Sequence, residues 1–320
     1  MEDIPITEPV RVRPVSPFQR VIDAGYAGVK HTRLSESDLV VAGARRVRDA
    51  LFYASLARHG LLGEEVTRTS VLDHELYVDL RDRGISRTLY LNGRYDTRLT
   101  DALPDLVDPG DAVVDVGANI GYFTVLLSAL VGETGSVHAL EPDPRNAALL
   151  ERNVELNECT NVTVEQAAVA DEPGTVHLHT HETEFSRSSI TETDGRRRDL
   201  DVPVVTVPGV VAGSVDFLKI DVVGAEIAVL DGALSIIERD RPAVVLPVLP
   251  DKWPDAYPET FVRLASLDYR VETLDGTPGG PLGDPGTIAD LSGQNVVLTA
   301  SPEARSRNRA ADRSGGSQAG

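Results

Sequence analysis

The chain has 320 residues, 41% of them hydrophobic, so it can bury the core of one large domain, or of a domain with an appended segment, without covalent staples. Its only cysteine, Cys159, excludes an internal disulfide, and a formal net charge of −19 argues against a nucleic-acid partner, because binding a phosphate backbone needs a basic surface. No apolar run approaches the roughly 20 residues that span a bilayer, which speaks against a membrane role.

Residues 1–32 mix Pro, Arg and short apolar stretches without periodicity and read as an extended leader. The start, Met1-Glu-Asp-Ile-Pro, is acidic and lacks the basic-then-apolar pattern of a secretory signal, so the expected location is cytoplasmic. From Ser37 to His59, Leu39, Val40, Val47, Leu51, Ala54 and Leu56 recur at near-helical spacing and predict an amphipathic helix. Glu65 to Leu72, Leu76 to Leu80 and Thr88 to Leu91 alternate with polar breaks and predict strands or hairpins, so 33–100 reads as a helix and β-hairpin cap.

From Asp111, short β-rich runs alternate with helical stretches. Strands are expected at Ala112 to Val116, Ser136 to Leu140, Val162 to Val169, Phe217 to Ile220, Ala243 to Val248, Tyr269 to Leu274 and Asn295 to Thr299. Helices are expected at Tyr122 to Leu130, Pro144 to Asn157, Ala225 to Glu238 and Glu259 to Ser266. This alternation predicts an α/β domain over 101–300, with a seven-stranded, mostly parallel sheet covered by helices on both faces. Thr175 to Val207 interrupts it with a polar insertion that predicts a β-ribbon, Val176 to Leu178 against Val202 to Val205. Residues 301–320 lack apolar anchors and predict a disordered tail.

The strongest local signal is Val113-Val-Asp-Val-Gly-Ala-Asn-Ile-Gly-Tyr, an apolar strand that ends at an acid and turns through glycines into a helix. Gly117 and Gly121 let the backbone pass close to a ligand, and the helix N-terminus beyond offers free N–H groups. Asp115 and Asn119 stand at the strand end, where they either bond a ligand or brace the loop. The acid lies two residues before the first glycine, and the middle of the turn is Asn119, which departs from the dinucleotide spacing G-x-G-x-x-G and favours S-adenosylmethionine (SAM) over NAD. One βα unit later Glu141 ends the second strand, where an acid accepts both hydroxyls of an adenosine ribose. Asp171 follows the third strand, beside the expected place of an adenine ring.

Val215-Asp-Phe-Leu-Lys-Ile-Asp-Val-Val-Gly-Ala-Glu is a further strand ending in an acid and a glycine turn. Lys219 lies inside the apolar strand, where an ammonium needs a partner such as Asp221; the alternative is a general base or substrate contact. Glu226 opens the next helix, where a carboxylate also suits the helix dipole. His177, His179 and His181 alternate onto one face of a strand, but without a carboxylate at ligand spacing they read as solvated ribbon histidines, and no metal is expected. Only Lys30, Lys219 and Lys252 are lysines among abundant Arg, Asp and Glu, a balance that predicts a salt-adapted, halophilic cytoplasm.

Together these segments resemble the FkbM family of methyltransferases. The resemblance rests on Gly84-Ile-Ser-Arg-Thr-Leu-Tyr, Val114-Asp-Val-Gly-Ala-Asn-Ile-Gly-Tyr-Phe-Thr, Ala139-Leu-Glu-Pro, Asp216-Phe-Leu-Lys-Ile-Asp, Gly224-Ala-Glu with Gly232-Ala, and Gln294-Asn-Val, and covers roughly Leu76 to Thr299. It implies a class I SAM-dependent methyltransferase (Rossmann-like) fold and methyl transfer, usually to a hydroxyl on a sugar, polyketide or similar small molecule. Three positions depart from the family pattern: Val223 and Pro247 stand where it carries glutamates, and Thr206-Val-Pro208 replaces a Thr-Leu-Asp.

The expectation is therefore an O-methyltransferase with SAM as cofactor and a small-molecule acceptor such as a sugar or glycan. Asp115, Gly117, Asn119, Gly121, Glu141 and Asp171 would serve the cofactor, and Asp221, Lys219 and Glu226 the acceptor. The alternative is a catalytically impaired SAM-binding or regulatory protein of the same fold.

Overall fold

The computed structural model describes residues 38–181, 197–253 and 257–301. The leader at 1–32, the middle of the insertion at 182–196 and the tail beyond Ser301 lie outside them. The chain divides into two compact units, the first within Met1–Tyr95 and the second beginning at Asp96.

In the first unit, helix α1 (Asp38–Arg58) precedes an antiparallel hairpin of β1 (Val66–Val71) and β2 (His74–Asp79), followed by helix α2 (Ile85–Asn92). Phe52, Leu56, Leu61, Val66, Leu76, Val78 and Leu89 are buried in it. Thr88 to Leu91, expected as a strand, lies inside α2. Ile85 and Leu89 stand one helical turn apart and are both buried. Gly93 ends the helix in the left-handed conformation, with its N–H on the Leu89 carbonyl. Tertiary burial and this cap outweigh the β-preference of Thr88 and Tyr90.

The second unit opens with α3 (Thr97–Leu106), whose N-cap Asp96 accepts the Leu99 N–H. Then follow β3 (Ala112–Val116), α4 (Tyr122–Val131), β4 (Ser136–Leu140), α5 (Pro144–Leu156), β5 (Val162–Glu165) and β6 (Ala168–Val169). The ribbon strands β7 (Gly174–His181) and β8 (Arg197–Val205) come next, then α6 (Val207–Val210), β9 (Phe217–Ile220), α7 (Glu226–Asp240) and β10 (Ala243–Pro247). The unit closes with α8 (Glu259–Ser266), β11 (Tyr269–Thr273), β12 (Pro278–Gly280), α9 (Pro285–Asp290) and β13 (Asn295–Ala300).

The main sheet runs β12-β11-β13-β10-β9-β3-β4-β5. Strands β5, β4, β3, β9 and β10 are parallel, whereas β13 lies antiparallel between β10 and β11. Eight strands replace the seven expected. The extra one, Pro278-Gly-Gly, is an edge strand of residues with low β-propensity, which only its pairing with β11 reveals. The strand order reverses between β3 and β9, and this is the switch point outside which ligands bind on such sheets.

Neighbouring residues of β4 show how both faces are covered. Ala139 packs with Leu150 of α5, while Leu140 joins the opposite core with Leu230 and Ile236 of α7. Burying a leucine such as Leu150 contributes about 2 kcal/mol. Helix α5 starts where Asp143 caps the N–H groups of Arg145 and Asn146 and Pro144 takes the first turn.

The expected run Val162 to Val169 is broken. The Ala167 N–H turns back onto the Glu165 carbonyl, so β5 stays in the main sheet while β6 joins β7 and β8 in a second, three-stranded sheet. The ribbon pairs Val176 with Val202 and Leu178 with Leu200. Among the described residues, no helix is long and apolar enough to cross a membrane.

Candidate functional site

The site grows from the carboxyl ends of β3, β4 and β9. The β3–β9 register sets Asp115 opposite Lys219, so their side chains leave the same face. The Lys219 Nζ lies 2.9 Å from Asp115 Oδ1, and Thr124 of α4 donates its hydroxyl to Oδ2 at 2.7 Å. Both oxygens of the fully buried Asp115 are thus engaged inward, and the acid braces the turn that follows. Lys219 also stands 3.7 Å from Asp221 Oδ2 and 5.0 Å from the centre of the Phe123 ring. Burial draws the Lys219 proton affinity down, but the charges of Asp115 and Asp221 and their hydrogen bonds outweigh it and hold it above the ordinary lysine value. These contacts favour the ammonium form of Lys219.

The turn after β3 is shaped by its neighbours. Gly117 has φ +77, and a β-carbon there would stand 2.3 Å from the Asp221 carbonyl oxygen. Gly121 has φ +86, and its β-carbon would meet the Leu150 side chain at 2.6 Å. Between them Asn119 adopts a left-handed conformation, φ 52, and its side chain accepts the Ile120 N–H. Its own N–H donates to Glu141 Oε2 at 2.8 Å, which ties the β3 turn to the end of β4.

Glu141 is buried and accepts three hydrogen bonds, from Asn119 N–H, from Asp143 N–H at 3.0 Å and from the Asn146 amide at 3.4 Å. Burial first, then the charge of Asp143, raises its proton affinity until it titrates at about 7. A carboxylate has about four acceptor positions, and the 3.4 Å contact is long enough to yield, so Glu141 can still take donors such as ribose hydroxyls. The acid, the glycine turn and the helix start fit a nucleoside-bearing cofactor such as SAM.

Directly after β9, Asp221 is half exposed and bonds through its N–H to the Val116 carbonyl. Glu226 is different. It is completely buried in the first turn of α7, where Oε1 accepts the Gly224 N–H and Oε2 the Trp253 indole N–H, both at 3.1 Å. Burial raises its proton affinity, and hydrogen bonds partly offset this.

The geometry gathers Asp115, Gly117, Asn119, Gly121, Glu141, Lys219 and Asp221 around one switch point. Glu226 stands behind that group as a buried cap, with no free face toward an acceptor. Asp171 is exposed beyond β6, beside Gly232 of α7, because the break in the third strand carries it past the end of β5. His177 and His179 pair across the ribbon with Asp201 and Asp199. The side chain of His181 lies outside the described residues, and no group that could hold a metal ion is found among the described ones.

Sequence reasoning missed Asp96. Its Oδ2 accepts the Asn295 amide at 2.7 Å. Burial raises its proton affinity, the Leu99 and Asn295 hydrogen bonds lower it, and the charges of Asp221 and Lys219 reach it. Asp96 keeps a left-handed backbone, φ 33, unusual outside glycine. The one sequence signal was Asn295 itself, in the matched Gln294-Asn-Val segment.

This strand order, with an antiparallel strand inserted beside β10 and an acid within the end of β3 and directly after β4 and β9, defines a class I methyltransferase fold. Residues 115–271 match the family model described as Methyltransferase FkbM domain. It is 46% identical over 66 residues to the 31-O-demethyl-FK506 methyltransferase FkbM of Streptomyces tacrolimicus, a stretch covering 21% of this chain and 25% of that protein. Among solved structures it is similar to the methyltransferase FkbM of Methylobacillus flagellatus KT, with 16% identity, a TM-score of 0.39, and coverage of 67% of this chain and 54% of the other. It is also similar to the M. jannaschii tRNA m1G37 methyltransferase, with 14% identity, a TM-score of 0.39, and coverage of 74% and 54%. The chain thus spans a quarter of the first relative and about half of each solved structure.

Proposed function

We propose that the protein is a SAM-dependent O-methyltransferase whose acceptor is a hydroxyl on a sugar or other small molecule. The observation that carries this reading is the chain Asp115–Lys219–Asp221, which links the glycine turn at the end of β3 to a half-exposed carboxylate across the switch point. Glu141 receives the ribose hydroxyls. Gly117 and Asn119 shape the turn beneath the cofactor, with Gly121 fitting it against Leu150. SAM supplies a methyl group on a positively charged sulfur. Asp221 accepts the acceptor's O–H and takes its proton on Oδ1 or Oδ2, while Lys219, held as an ammonium, keeps that carboxylate oriented. Methyl transfer depends chiefly on such positioning.

The acceptor class is supported by charge. From Asp96 onward the chain has 37 acidic and 17 basic residues, a surface that repels a nucleic-acid backbone. The same excess supports a salt-rich cytoplasm as the working environment. Acids are missing at Pro208, Val223 and Pro247, which alone would suggest an impaired protein. Asp96, whose Oδ2 accepts the Asn295 amide, adds a carboxyl within electrostatic reach of Asp221, which supports the active reading.

Calorimetry with SAM, S-adenosylhomocysteine and NADH in molar KCl tests the cofactor. Micromolar binding of SAM and none of NADH is expected, and a folded protein that ignores SAM, or binds NADH equally, refutes the reading. A methyl-transfer screen over sugars and hydroxylated small molecules then tests the acceptor. Asp221→Asn should abolish transfer while sparing SAM affinity.

A further inference from the structure

Glu226 is a completely buried carboxylate with no cationic partner among its recorded contacts, and its two oxygens serve two different loops. Oε1 holds Gly224, in the turn between β9 and α7 that also carries Asp221. Oε2 holds the indole of Trp253, which follows the short helical turn Pro250–Lys252 after β10. Both loops leave the carboxyl edge of the sheet, one beside the switch point and the other next to it. Trp253 is 7% exposed, and its ring centre lies 5.5 Å from that of Phe261 in α8, so the indole is fixed by packing on one side and by Glu226 on the other.

A hydrogen bond from an indole N–H to a carboxylate strengthens or weakens with the charge on that carboxylate. The charge of Asp221 already reaches Glu226. A cationic group arriving beside Asp221 changes the field at Glu226, and Glu226 passes the change to the one indole in the chain.

We propose that Glu226 is a positioning residue that couples occupancy of the Asp221 end of the site to the segment after β10 through Trp253. This rests on the cofactor reading above. It moves Glu226 from proton transfer to the role of a crosspiece between the donor side and the neighbouring loop. Occupancy by SAM, with its positive sulfur, then differs at Trp253 from occupancy by S-adenosylhomocysteine, whose sulfur is neutral.

Because Trp253 is the only tryptophan, intrinsic fluorescence reports on it alone. Full-length protein is titrated with SAM and with S-adenosylhomocysteine, following tryptophan emission and calorimetric heat in parallel. The wild type should show an emission shift that saturates with the calorimetric isotherm and is larger for SAM. Glu226→Gln, which has nearly the same shape but no charge and a single acceptor oxygen, should still bind SAM by calorimetry but lose the shift. Should Glu226→Gln fail to fold, as read by circular dichroism, Asp221→Asn serves instead: the indole bond stays intact and the SAM-specific part of the shift should disappear. A silent tryptophan in wild type that binds SAM, or a full shift in either variant, overturns the coupling. No calorimetric SAM binding in folded protein instead overturns the cofactor reading, and the coupling falls with it.

Discussion

Gly117 lies against the backbone of Asp221 so closely that a single added methyl group would stand 2.3 Å from its carbonyl oxygen. The turn that follows β3 and the turn that follows β9 are therefore one packed unit, and the glycine is required by this backbone contact within the chain. Gly117→Ala must separate the two turns and strain a backbone at φ +77. It should destabilise the unit by about 2 to 4 kcal/mol and weaken SAM binding strongly. Urea denaturation and calorimetry check this, and a variant matching the wild type in both would remove the contact from the account.

Glu141 should make stability and SAM affinity depend on pH in opposite directions. In the unfolded chain a glutamate loses its proton above about 4.5, whereas burial and Asp143 keep it on the folded protein up to about 7. Between these values the folded state holds more protons than the unfolded one. Stability therefore falls as pH rises through this window, by an amount on the order of 3 kcal/mol, and levels off above it. In the proposed role of Glu141, ribose hydroxyls donate to its charged form, so SAM affinity should rise as pH climbs through the same window. Glu141→Gln should flatten both curves and weaken SAM by about 1 to 3 kcal/mol. Denaturation and binding measured at both ends of the window read the two slopes.

Lys219→Met would leave the Asp115 carboxylate buried with only Thr124 as side-chain partner. Breaking a buried pair from one side costs about 3 to 5 kcal/mol, more than losing the same side chain from a surface. The double variant Lys219→Met with Asp115→Leu should recover part of that loss, because the stranded charge is gone. Chemical denaturation of the wild type, Lys219→Met, Asp115→Leu and the double variant forms the cycle. Additive losses would mean that the 2.9 Å contact carries no coupling.

Salt should stabilise the protein. Its acid excess is concentrated from Asp96 onward, and self-repulsion among those carboxylates is screened over about 3 Å at molar ionic strength, against about 10 Å at a tenth of that. Melting temperature should rise between low and molar KCl. A melt that does not move would trace the scarcity of lysine to genome composition instead.

How much of this was legible beforehand depends on what each residue was chosen for. The apolar runs of β3, β4, β9 and β10 and the helices between them follow local periodicity, and the structure reproduces them within a residue or two. Glu141 and Asp221 were legible because an acid at the end of an apolar strand is conspicuous. Thr88 to Leu91 was misread because its side chains fit a strand while its burial, shared with Ile85 and closed by Gly93, is helical. The break after Glu165 was hidden because Ala167, Ala168 and Val169 continue an apolar run, and only the pairing of β6 with β8 turns it aside. Asp96 and Trp253 were invisible for a third reason: their partners, Asn295 and Glu226, lie far away in sequence, and no local pattern records such a meeting.

The placement of β13 bears on how the protein is made. Asn295–Ala300 is the last described strand, yet it sits between β10 and β11 and pairs with both. While the chain emerges from the ribosome, those two strands have no neighbour for their facing edges, and their unpaired N–H and C=O groups invite association with other chains. The pairing of β10 and β11 along those edges is complete only once Asn295–Ala300 lies between them.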